Sequence, residues 1–211
     1  MGPVLRGQWL EIKGLASSRC ADLDWGQVSI LDLGCGCSDE IFRLYEDIRF
    51  ARYVGVELVE CDNPSVTYCN YSSLRIEREL IAPELSENEF NNKFSVHFGT
   101  DAEAFTSSCQ EKFDLVVVSN LLHLTTLKKK WKDLLHSSMQ CLKPSGYAYI
   151  KVYVQECDSR IVPFDDSEVT ELKKALCDAD CTLVEGEGAR KIRLFGRKSV
   201  CPPHSLIHDS W

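Results

Sequence analysis

Val28-Ser29-Ile30-Leu31-Asp32-Leu33-Gly34-Cys35-Gly36-Cys37-Ser38 is the stretch on which the fold turns. Residues 28–33 (VSILDL) form an apolar run of strand length, which stops at Gly34. Ser38 then reads as an N-cap, with Asp39 and Glu40 in the first turn of a helix running to about Arg49. A strand, a glycine turn and a helix in that order form the opening unit of a doubly wound α/β domain.

The same alternation continues outward. Tyr53 to Leu58 (YVGVEL), Phe94 to Phe98 (FSVHF), Phe113 to Ser119 (FDLVVVS) and Tyr147 to Val154 read as strands. Between them lie a polar stretch from Ser65 to Phe90, read as a helix broken near Pro83, and a short helix from Ala102 to Gln110. Leu127 to Leu142 reads as an amphipathic helix closed by Pro144-Ser145-Gly146. Ser167 to Asp178 is a further helix, and Cys181 to Glu185 with Arg190 to Arg197 suit a final antiparallel pair. Strands alternating with helices predict a parallel sheet covered on both faces. The expected organisation is an N-terminal cap segment (1–27), an α/β domain (28–199) and a peripheral tail (200–211).

Bulk properties narrow the classes. The chain has 211 residues, 44% hydrophobic and 27% charged, which suits one globular domain. Its formal net charge of -8 disfavours broad binding to phosphate backbones. Eleven cysteines are scattered without a C-x-x-C pair, so neither a zinc ribbon nor a thioredoxin-type motif is expected, and no metal. Reduced thiols and no visible signal peptide predict a cytoplasmic setting. The longest apolar runs, such as Leu115 to Val118, are strand-sized, so no membrane association is expected. Asn70-Tyr71-Ser72 reads as a chance glycosylation pattern. Oligomeric state is not legible.

The turn itself selects among nucleotides. A dinucleotide fingerprint, G-x-G-x-x-G, fails here because its sixth position is Asp39. Asp39 and Glu40 already satisfy the positive end of their helix and would repel a pyrophosphate. Asp32 stands where a ligand ammonium group can meet it. That charge pattern favours S-adenosyl-L-methionine, which has an α-amino group and a sulfonium but no phosphate, over a nicotinamide cofactor. Glu57, about 20 residues beyond the glycines, is placed to accept both hydroxyls of a ribose. Asp101-Ala102 follows the third strand, where a carboxylate can accept from an adenine amino group; helix capping by Asp101 is an equal alternative.

Over residues 28–198 the chain resembles the class I S-adenosylmethionine-dependent methyltransferases. The resemblance rests on LDLGCG (31–36), VGVEL (54–58), GTDAEAF (99–105), FDLVVVSNLLHL (113–124) and LKPSGYAYIKV (142–152). It implies a Rossmann-like, doubly wound seven-stranded sheet, mostly parallel with its last strand antiparallel. Carried over, Asp32, Gly34 and Gly36, with Cys35 between them, line the methionine half. Glu57 with Leu58 holds the ribose, Asp101 and Ala102 edge the adenine, and Ser119, Asn120 and Leu121 face the cofactor. Ser38 departs from the family, which often has a third glycine there.

The acceptor is harder to read, because methyl transfer mainly needs alignment and exclusion of water. Asn120 and His123 lie just after the fourth strand, beside the expected methyl group, and His123 is a candidate base. The Asn/Asp-Pro-Pro-aromatic motif is absent: the position reads Ser119-Asn120-Leu121-Leu122, which argues against amide and adenine acceptors. Lys151 resembles the strand lysine of FtsJ-type ribose 2′-O-methyltransferases, but the aspartate and glutamate of that tetrad are missing. The basic run Lys128 to Lys132 suits a solvated helix face better than an RNA contact. His204 and His208 have helical spacing without further ligands. The expected activity is methyl transfer to oxygen or nitrogen of a small molecule or protein. The alternatives are an RNA (cap or ribose 2′-O) methyltransferase and a non-catalytic methyltransferase-like binding module, with a nicotinamide oxidoreductase disfavoured. Residues 59–92 and 155–166 are the expected recognition segments.

Overall fold

The computed structural model describes residues 9, 12, 14, 24–36, 41, 45, 49–58, 82–124, 126–155, 161–178, 181–188 and 191–198. Its strands are β1 (Ser29–Leu33), β2 (Arg52–Val56), β3 (Phe94–His97), β4 (Phe113–Ser119), β5 (Leu142–Tyr153), β6 (Cys181–Gly188) and β7 (Lys191–Lys198). They form one sheet in the order β3-β2-β1-β4-β5-β7-β6. All pairings from β3 through β5 are parallel, while β7 runs antiparallel to both β5 and β6. The mostly parallel sheet with its last strand reversed is therefore present.

The helices are α1 (Glu87–Lys93), α2 (Ala102–Ser108), α3 (Trp131–Gln140) and α4 (Asp166–Asp178). The β1 and β4 runs form strands because apolar side chains leave from both faces, and both faces are covered. On one face, Leu31, Val54, Val116 and Ile150 pack beneath Leu134, Leu135 and Met139 of α3 and Leu172 and Leu176 of α4. On the other, Ile30, Tyr53, Val117 and Tyr149 pack against Trp9, Ile12, Ile41 and Tyr45, which are helical. Two residues of the expected N-terminal cap thus lie against the sheet.

Three boundaries differ from the sequence reading. Of the helix expected from Ser65, residues 65–81 lie outside the described residues. The described part begins at Glu87, after a turn at Pro83, because Ser86 and Glu89 form a reciprocal capping box: the Glu89 N–H donates to Ser86 Oγ (3.3 Å) and the Ser86 N–H to Glu89 Oε2 (2.8 Å). The helix expected from Leu127 begins as a 3₁₀ turn at Lys128–Lys130. Pro144-Ser145-Gly146 does not close a helix in a free turn; it lies inside β5. Phe113 pairs with Leu142, the register then shifts, and Leu115 pairs with Tyr147. A side chain at Gly146 would come within 3.0 Å of the Phe113 carbonyl, which is why glycine ends the kink.

The amino-terminal end of the sheet is closely tied. Asp114 Oδ2 accepts from the Ser29 N–H (2.8 Å), the Ser29 hydroxyl (2.7 Å) and Lys143 Nζ (2.8 Å), joining β1, β4 and β5. Burial opposes the Asp114 charge, but the hydrogen bonds from Lys143 and Ser29 outweigh it and hold the carboxyl below its usual range.

Candidate functional site

At the opposite end, β1 runs into a turn that only glycine follows easily. Gly34 (φ +74°) and Gly36 (φ +59°) are left-handed. The Gly34 and Cys35 N–H groups donate to the Val56 carbonyl (2.8 and 3.2 Å), and the Gly36 N–H donates to Glu57 Oε2 (2.9 Å). Glu57 is itself fixed: its N–H donates to the His97 carbonyl and its carbonyl accepts from Thr100. The glycine turn and the Glu57 carboxylate are therefore one unit.

A cavity of about 260 Å³ opens beside that unit. Gly34, Glu57, Leu58, Asp101, Ala102, Asn120 and Leu121 line it, so these expected cofactor residues converge. Val56, Thr100, Leu124, Thr126 and Leu127 complete the lining, and the sequence reading missed them. Three of the four leucines in the 121–127 stretch carried a signal, since Leu121, Leu124 and Leu127 recur at a spacing of three. Asp101 does both things foreseen for it: it borders the cavity, and its Oδ1 accepts from the Ala104 N–H (2.9 Å) as the cap of α2.

Other expected residues sit around the cavity without lining it. Gly36 reaches it through Glu57. Cys35 seats its sulfur over Gly55, where a side chain would meet it at 2.8 Å, so the glycine of VGVEL makes room for the turn. Asp32 is 5% exposed, and the Tyr53 hydroxyl donates to its Oδ2 (3.0 Å), a partner the sequence reading missed. Burial pushes its pKa up to about 7; the Tyr53 hydrogen bond opposes the shift and the nearby Glu57 charge adds to it. Ser119 and Lys151 are buried and opposite each other across β4 and β5, and the Lys151 carbonyl accepts from the Asn120 N–H (3.0 Å).

His123 is 1% exposed and lies outside the cavity lining, edge-on to Tyr153 with 4.7 Å between ring centres. A return strand of chain covers it. The Val162 N–H donates to the His123 carbonyl (2.8 Å), Ile161 bridges to Leu124, and the Phe164 N–H donates to Tyr153 (2.8 Å). Lys128 clamps this strap: its Nζ lies 3.5 Å from the Phe164 ring centre and donates to Pro163 and to Glu168. The described part of the expected 155–166 segment thus packs on the β4–α3 connection.

The cavity suits a phosphate-free, positively charged nucleoside. It is bordered by two carboxylates and by no basic side chain among the described residues. Leu121 packs directly on Gly34, where a side chain would meet its Cδ1 at 3.0 Å. Asn120, itself left-handed (φ +57°), turns a buried Oδ1 that has no hydrogen-bond partner. A larger groove of about 720 Å³ lies between α3 and α4, but it shares no residue with the glycine turn or the carboxyl ends of the parallel strands, so the smaller cavity is the candidate site. Among the described residues no group of three or more His, Cys, Asp or Glu could hold a metal, and no helix is long and apolar enough to cross a membrane. His204 and His208 lie outside the described residues.

Residues 14–199 match the family model described as a methyltransferase domain. The fold is similar to that of magnesium protoporphyrin IX methyltransferase (ChlM) from Synechocystis PCC 6803, solved with bound SAH: TM-score 0.62, 12% identity, 92% of this chain and 84% of that one. It is similar to N-methyltransferase NodS from Bradyrhizobium japonicum WM9, in complex with S-adenosyl-L-homocysteine, with a TM-score of 0.58, 18% identity and coverage of 93% and 88%. It is also similar to the [4+2]-cyclase SpnF, with a TM-score of 0.59, 14% identity and coverage of 90% and 81%. No curated protein matches the sequence.

Proposed function

The chain belongs to the methyltransferase domain family, and from that premise we propose that it transfers a methyl group from S-adenosyl-L-methionine to an oxygen or nitrogen of a small molecule or a protein side chain. One observation carries this reading: the left-handed glycine turn, hydrogen-bonded to Glu57, borders a cavity lined by two carboxylates and, among the described residues, by no cationic side chain.

Glu57 accepts the ribose hydroxyls while keeping the Gly36 N–H, since a carboxylate offers about four lone-pair sites. Asp101 and Ala102 edge the adenine, and Leu58, 55% exposed, gives it an apolar face. Asp32 and the turn from Gly34 to Gly36 serve the methionine half. When bound, the cofactor supplies a methyl group already activated by its sulfonium. Leu121, Leu124 and Leu127 keep water out. Asn120 offers its oxygen to a donor at the reacting end, held there by the Lys151 carbonyl. Ser119 and Lys151 pair across β4 and β5 next to Asn120, and His123 lies buried outside the cavity lining; no base in direct contact with the acceptor is required.

The basic run does not favour RNA. Lys128 pairs with Glu168, Lys130 with Glu103 and Lys132 with Glu171, so most of its charge is spent within the fold. Cys109, Cys141 and Cys177 are in no disulfide, which fits a cytoplasmic setting. Calorimetry tests the reading: S-adenosylmethionine and S-adenosylhomocysteine should bind in the micromolar range and NAD should not. No detectable binding of either would leave a methyltransferase-like module without the chemistry.

A further inference from the structure

We propose that Cys109 and Cys141 form a reversible thiol modification site, in which a hydroperoxide converts the pair to a disulfide that ties α2 to α3. The two helices descend side by side from the cavity end of the sheet, and each ends on a cysteine: Cys109 caps α2 and Cys141 caps α3. One turn earlier their hydroxyls meet, with Thr106 Oγ1 and Ser137 Oγ 2.7 Å apart. Cys141 Sγ reaches across toward the Thr106 carbonyl (3.8 Å), and Cys109 packs against the core cluster that holds Cys141. Both are free thiols.

Their surroundings give them different tasks. Cys109 is partly exposed, so a small oxidant reaches it, while Cys141 is 1% exposed. Burial pushes the Cys141 thiol up to about 11; the neighbouring Cys109 adds to the shift and the Lys112 and Lys198 ammonium groups oppose it. Those lysines also donate to the last carbonyls of α3, at Gln140 (2.7 Å) and Met139 (3.4 Å), keeping positive charge beside the pair.

Cys109 is the sulfur attacked first. Its thiolate takes the terminal oxygen of the hydroperoxide, the O–O bond breaks, and the leaving alkoxide or hydroxide is protonated to an alcohol or water. The Cys109 sulfenic acid is then attacked by the Cys141 sulfur; the S–S bond forms, the S–O bond breaks, and hydroxide leaves with the Cys141 proton as water. The two thiols lose two electrons, which the hydroperoxide gains.

The bridge would lie at the end of the helices remote from Asp101 and Ala102, so it locks the fold without entering the cavity. Hydrogen peroxide added to the full folded chain, followed by alkylation and peptide mass spectrometry, tests it. The expected result is a Cys109–Cys141 linked peptide, with the loss of two titratable thiols that dithiothreitol restores. Cys109→Ser and Cys141→Ala should each abolish the linked peptide, and Cys177→Ser should leave it. Oxidation of Cys109 to a sulfinic acid without a link, linkage to another cysteine, or consumption of exposed Cys177 alone would each overturn the proposal.

Discussion

Two aspartates at opposite ends of one sheet show how the molecule divides its work. Asp114, at the amino-terminal end, accepts three hydrogen bonds through one oxygen, which hold its carboxyl below the ordinary range. Asp32, at the carboxyl-terminal end, is buried with the Tyr53 hydroxyl against it and is lifted to about 7. Asp114 is itself matched by Ser29 and Lys143. Around Asp32 lie three left-handed residues and the orphan oxygen of Asn120. The glycine turn and the orphan amide oxygen lie where a ligand is to sit, and the other end holds the sheet together.

The largest test of that contrast is Gly34→Val. A left-handed backbone strains any side chain here, and valine would press on Leu121 from 3.0 Å, so binding of S-adenosylmethionine by calorimetry should vanish. Retained binding would put the cofactor somewhere else.

Next comes the pH signature, which should have opposite signs at the two ends. Asp32 rises from 3.8 to about 7 on folding, so between those values the folded chain holds a proton that the unfolded chain has lost. Ligand-free stability due to Asp32 therefore falls as pH rises from about 4 to about 7. Asp32→Asn should gain on the wild type across that window, by on the order of a few kcal/mol at its upper edge, read from denaturant melts at several pH values. A gap that does not change with pH would mean that Asp32 titrates normally. Asp114 works the other way: its contribution is present above the unfolded value of 3.8 and is lost as pH falls through its lowered folded value.

Asp114→Ala should cost about 1.5–3 kcal/mol of stability at neutral pH, because it strips charged hydrogen bonds from Lys143 and Ser29. Cofactor affinity should be unchanged; a parallel loss of affinity would dissolve the division between the two ends. The smallest effect belongs to Asn120→Gly, which relieves a left-handed side chain and an unpaired oxygen together. It should raise the midpoint of unfolding by about 1 kcal/mol equivalent. A less stable variant would show that the Asn120 side chain is satisfied after all.

What sequence made visible follows the range of the forces involved. β1 and β4 were legible because uninterrupted apolar runs betray strands buried on both faces, and Gly34 and Gly36 because a tight turn at a strand end needs them. The kink at Pro144-Ser145-Gly146 was misread as a turn because its meaning depends on Phe113, a strand partner distant in sequence. The depth of His123 was hidden for a similar reason: it is covered by Val162 and Tyr153, which only the folded chain brings near. Glu57 was found by its spacing, yet its hydrogen bond to Gly36 is a three-dimensional fact. The cavity could thus be outlined from the turn outward, while the routing of protons and the seat of the acceptor could not.

The order of strands at the far edge has a temporal consequence. β7 lies between β5 and β6, although it is made after both. A ribosome that has delivered β1 through β6 has delivered a sheet with a gap in it, and the outer edge of β5 stays unpaired until residues 191–198 emerge and slot in. A nascent chain stalled before Lys191 should be the species that chaperones hold and proteases cut, whereas one carried through Lys198 can close.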